Sequence, residues 1–149
     1  MTRLAALALL TACSHVPIDE AVTAHNVYRR VLVDASDAFA PLYGAVSAEH
    51  MGRADADYEA ALKPYNGVAR ALDAGRHAEL ALNVALSQCL AAGSDSCDAA
   101  QAGFACAVKA LEDLWRSYGQ IPGGVPFYAA AAVTASQLRM LAGDKHCSP

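Results

Sequence analysis

From residue 18 onward, apolar side chains recur every three to four positions along almost the whole chain. That period puts them on one face of a helix and cannot serve a strand, whose faces alternate every two residues. In the first segment Ile18, Val22, His25, Leu32, Phe39 and Val46 form the stripe, widened by Tyr28, Val31, Ala35 and Leu42. They predict an amphipathic helix over about residues 19–49, kinked rather than ended at Pro41. A second stripe, Tyr58, Leu62, Tyr65, Ala69, Leu72, Leu80, Val84, Leu86 and Leu90, predicts helix over about residues 56–92, with Asp55 and Asp57 at its acidic start. Pro64, Gly67 and Gly75 leave open whether this is one helix or two joined near residues 73–75.

Breakers then mark the remaining elements. Ala92-Gly93 is a helix stop and Ser94-Asp95-Ser96 a helix start, so a tight helical hairpin is expected there. A third helix carries Phe104, Val108, Leu111, Leu114, Trp115 and Tyr118 and ends at Gly119. The run 121–126, with two prolines and two adjacent glycines, cannot be helical. Pro126 then opens a last helix with Phe127, Ala130, Ala131, Thr134, Leu138 and Leu141 on its face, stopped by Gly143. The fold class that follows is all-α: one domain, residues 13–149, built as an antiparallel bundle of three to four long amphipathic helices and stapled by disulfides.

The first twelve residues carry a different signal. Met1-Thr2-Arg3 gives a short basic start, residues 4–10 are an apolar run, and Thr11-Ala12 puts small residues directly before Cys13. The run is far below the roughly 20 apolar residues that span a bilayer. Leu10-Thr11-Ala12-Cys13 resembles the lipobox of bacterial lipoproteins. The resemblance covers only the leader. It implies removal of residues 1–12, acylation of Cys13 and a lipid anchor in the cell envelope, at the outer membrane if the source is Gram-negative, since Ser14 is not the Asp that marks inner-membrane retention.

Setting Cys13 aside leaves Cys89, Cys97, Cys106 and Cys147, an even set suited to disulfides in an oxidising compartment. Cys97 and Cys106 on one helix would lie about 13 Å apart on opposite faces, which excludes their pairing. Cys89 and Cys97 flank the Gly93 turn at similar heights, whereas Cys106 would sit about 12 Å deeper than Cys89. The expected pairs are therefore Cys89–Cys97 and Cys106–Cys147, the second fastening the C-terminal tail along the third helix.

Composition removes several function classes. Of 149 residues 55% are hydrophobic and only 17% charged, with 11 basic against 15 acidic side chains. No basic patch stands out, which argues against a nucleic-acid partner. Ser/His/Asp elbows, phosphate-binding glycine loops, HExxH and the Glu-x-x-His of di-iron bundles are all missing from the sequence. The expectation is a non-enzymatic protein with no catalytic residues, no cofactor and no metal site. His25 reads as a partly buried core imidazole, His77 and Glu79 as a solvated face, and Asp55, Asp57 and Glu59 as an acidic helix start.

Four of the ten aromatics, Trp115, Tyr118, Phe127 and Tyr128, fall within fourteen residues and enclose a loop containing Ile121 and Val125. These six are the expected partner-binding surface, since aromatics dominate interface hot spots; plugging one end of the bundle is the alternative. The leading functional reading is a lipid-anchored envelope protein, its partners the membrane and another envelope protein, acting as a helical binding or assembly module. That role resembles small pilotin-type lipoproteins of secretion systems. An inhibitory lipoprotein of the immunity or phage-exclusion type and a small ligand carrier or enzyme are the alternatives.

Overall fold

The computed structural model describes residues 15–52, 55–122 and 128–148. The leader, Cys13, Val125 and Phe127 lie outside them, as does the side chain of Tyr128. Four α-helices are present among the described residues: α1, Ile18–His50; α2, Asp55–Ala91; α3, Gln101–Tyr118; and α4, Tyr128–Ala142. A 3-10 turn at Asp98–Ala100 leads into α3.

Their order in space follows from cross-helix pairs. Tyr28 with Gly75 and Ser47 with Tyr58 set α1 antiparallel to α2, Leu82 against Gly103 and Gly67 against Ser117 set α2 antiparallel to α3, and Glu112 with Arg139, together with Cys106 bonded to Cys147 just past the end of α4, sets α3 antiparallel to α4. α1 and α4 close the ring along a groove from Val16 to Val27. The result is an up-down-up-down bundle whose core holds Tyr28, Leu82, Phe104, Leu111, Leu114, Tyr118 and Leu138, all almost fully buried.

α2 is one helix of 37 residues, which decides between the two arrangements left open by its sequence. Gly75 does not break it. A β-carbon there would lie 2.6 Å from Leu32 Cδ2, so the glycine lets α1 and α2 approach closely, and the Tyr28 hydroxyl donates to the Gly75 carbonyl at 3.0 Å. α1 likewise runs through Pro41, an exposed position where the carbonyl left without a donor can meet water.

The third helix begins later than its sequence suggests. Ser94, Asp95 and Ser96 form no helical turn; they make a loop, and Ser96 pairs with Pro17 in an isolated antiparallel bridge. α2 ends in a Schellman motif: Gly93 takes a φ of +65°, its N–H donates to Leu90, and Ser94 N–H donates to the Cys89 carbonyl. Both disulfides join the expected partners, Cys89 with Cys97 and Cys106 with Cys147. Cys97 precedes the 3-10 turn instead of sharing a helix with Cys106, so the pairing holds although one premise of its derivation does not.

Candidate functional site

The chain enters the bundle two residues after Cys13, and at once it is held. Val16 N–H donates to Asp98 Oδ1 at 3.1 Å, Cys97 N–H to the Val16 carbonyl at 2.8 Å, and Ile18 N–H to the Asp95 carbonyl at 3.1 Å. His15 Nδ1 stands 3.4 Å from Asp98 Oδ2 at the exposed edge of this node. Val16 and Cys97 are buried, and the Cys89–Cys97 bond ties the loop to the last turn of α2. Backbone bonds sheltered by apolar side chains resist exchange with water. The entry point is therefore fixed to the same loop that a disulfide fixes to α2.

The predicted contact residues do not share one exposed surface among the described residues. Trp115 is 45% exposed, but Tyr118 and Ile121 retain only 2% and 4% of their surface. The Tyr118 hydroxyl donates to the Ala35 carbonyl at 2.7 Å, and burial pushes its pKa up to about 12. Ile121 is brought back onto the core by a turn in which its N–H donates to the Tyr118 carbonyl. These two side chains plug the bundle end, so a contact surface cannot be built on them.

A different face is open. Leu80, Val84 and Leu90 on α2 are 58%, 48% and 56% exposed. Two residues turn a helix by about 200°, so with Leu82 and Leu86 buried, Leu80 and Val84 must point outward. No charged residue occurs from Leu80 to Ser94. Exposed Asn83, Ser87, Gln88 and Ala91 complete an uncharged outer face, in contrast to α1, which carries exposed Asp19, Glu20, Arg29, Arg30, Asp34 and Asp37. The sequence held the signal in the phase of Leu80 and Val84 relative to Leu82 and Leu86, and assigning every apolar residue to one stripe hides it.

The remaining polar candidates are accounted for structurally. His25 is buried, and its Nε2 lies 3.1 Å from Oε1 of Glu79, which is half-buried and not a freely solvated side chain. Glu79 and burial together raise the pKa of Tyr28, burial being the larger cause. His77 Nδ1 approaches the Asp73 carbonyl at 3.0 Å one turn back on its own helix. Among the described residues no three His, Cys, Asp or Glu side chains gather as a metal site, and no helix is long and apolar enough to cross a membrane. No family model, curated protein or solved structure matches the chain.

Proposed function

We propose that this protein is a lipid-anchored module of the cell envelope that holds a partner protein on the uncharged outer face of α2. The observation that carries the reading is a juxtaposition at one end of the bundle. The chain enters at His15, two residues after the lipobox-like cysteine, on the loop clamped to the C-terminus of α2, and the open apolar face of α2 starts from that same end at Leu90. At 1.5 Å per residue the face extends about 15 Å from Leu90 to Leu80, which supports a membrane-proximal partner. A tether only two residues long would keep that face at a defined height, whereas a long flexible linker would not.

The test has two parts. Cys13→Ser should release the protein from the membrane fraction, because stable anchoring requires at least two acyl chains. Leu80→Asp with Val84→Asp, in the anchored protein, should abolish recovery of the partner after mild detergent extraction while leaving the melting temperature within the small range typical of surface substitutions. Undiminished recovery of the same partner by that double variant rejects the α2 face.

A further inference from the structure

We propose that the groove between α1 and α4 receives one acyl chain carried by Cys13, so that the protein shelters part of its own anchor. The inference rests on acylation of Cys13. The groove is open to solvent along one side and has a volume of about 620 Å³, inside the roughly 300–1,000 Å³ usual for pockets that take a small ligand. Its walls are mainly apolar, Ala24 and Val27 from α1 with Met140 and Leu141 from α4, interrupted by Thr23 and Gln137, and His15 lines its N-terminal end, the mouth nearest Cys13 in the chain. Cys13 is two positions before His15, at most about 7 Å of chain, so an acyl chain on its sulfur is within reach of the mouth. The hydrogen bonds of Val16 and Ile18 to the 95–98 loop hold that mouth in place.

Charge decides which lipid fits. Asp19 and Glu20 stand on the rim and would repel the carboxylate of a free fatty acid, whereas an ester- or amide-linked chain is uncharged. Both disulfides join other elements, leaving α1 and α4 free to part slightly around a chain. The consequence is an adjustable anchor: one chain alone binds membranes marginally and reversibly, two bind stably, and each chain sheltered in the groove is one fewer in the bilayer.

The experiment uses the full-length Cys13→Ser protein and a fluorescent, uncharged monoacylglycerol with a twelve-carbon chain. The expected result is saturable binding that weakens roughly tenfold when the probe is two carbons shorter. Val27→Asp and Met140→Asp, both at exposed positions, should each lower the affinity at least tenfold, and the anionic fatty acid of equal length should bind more weakly than the uncharged probe. Acylated wild-type protein, its acyl mass verified, should not take up the probe, because its own chain fills the groove. Equal uptake by acylated and Cys13→Ser protein, indifference to both substitutions, or no binding at all overturns the groove assignment while leaving lipid anchoring intact. A wild-type mass without acyl groups instead removes the anchoring itself, and this inference with it.

Discussion

At the end where α1 begins and α2 finishes, the bundle is held covalently: the Cys89–Cys97 bond clamps the 93–98 loop, Cys106–Cys147 pins the tail, and backbone bonds seat residues 16–18. At the opposite end there is no disulfide among the described residues, and rings do the holding. Phe39 packs against Tyr43, Tyr65 and Tyr118 with centroids 5.6, 6.4 and 6.3 Å apart, drawing α1, α2 and α3 together. The difference teaches that cross-links were placed where short segments and chain ends have little apolar area to bury, and aromatic packing where three helices can share one large side chain.

The comparison breaks most sharply at Phe39. Its truncation to Ala removes all three ring contacts from a buried position and should cost about 3–5 kcal/mol. Denaturant melts that lose less than about 1 kcal/mol would show that the aromatic end is held by something else.

Next in size are the cross-links themselves. Chain-entropy reasoning gives about 4 kcal/mol for the 41-residue separation of Cys106–Cys147 and about 2.5 kcal/mol for the 8-residue separation of Cys89–Cys97. Replacing each pair by Ala and comparing urea midpoints should reproduce that order. The shorter bond should nevertheless have the larger local effect, speeding amide exchange at Val16, Ile18 and Cys97, whose N–H groups depend on the clamped loop. If exchange there is unchanged, the clamp does not secure the entry point.

How far these two ends were legible in the sequence depends on whether the information was local. The helices and both disulfides follow from apolar period and turn chemistry, because those are properties of neighbouring residues. The unity of α2 was not legible: Gly75 looks like a breaker until Leu32 and Tyr28, forty-odd residues away, are seen filling the space it leaves. The start of α3 failed for a similar reason, since Ser96 pairs with Pro17 across the fold and its loop could not be told from a helix cap. For the contact surface, clustered aromatics in the sequence are compatible with burial or exposure, and Tyr118 and Ile121 took the first. The outward phase of Leu80 and Val84 was concealed by placing both on the core stripe.

A pair of glycines sharpens the contrast between close-packed and open positions. At Gly103 a β-carbon would sit 2.8 Å from Leu82 Cδ2 and 2.9 Å from Leu82 Cγ, so Gly103→Ala must push α2 and α3 apart or turn a buried leucine. Overpacking of this kind costs about 1–3 kcal/mol, against about 1 kcal/mol gained in helix propensity, for a net loss on the order of 1 kcal/mol. Gly44 in α1 has nothing within 4 Å of its β-carbon position, so Gly44→Ala should gain up to about 1 kcal/mol. Thermal melts of equal sign for the two would refute the packing argument.

The smallest effect at neutral pH, and the one that probes both halves at once, concerns two buried tyrosines. Tyr28 donates to the Gly75 carbonyl between α1 and α2, and Tyr118 to the Ala35 carbonyl between α3 and α1. Burial raises both pKa values, Tyr118 to about 12, while an unfolded tyrosine titrates near 10. The folded state therefore keeps its protons longer than the unfolded state. Stability from this source is complete below about pH 10 and is lost as pH rises beyond it, each tyrosine contributing a slope of up to about 1.4 kcal/mol per pH unit. Tyr28→Phe removes one hydrogen bond and one such titration, so it should cost about 1 kcal/mol at pH 7 and then fall less steeply in alkali. The two stability curves should cross near pH 11, about one unit above the unfolded pKa, where the lost slope offsets the lost bond. Parallel curves through that range would mean that Tyr28 ionises as readily in the bundle as in the unfolded chain, and its hydroxyl could not then be sealed between the helices.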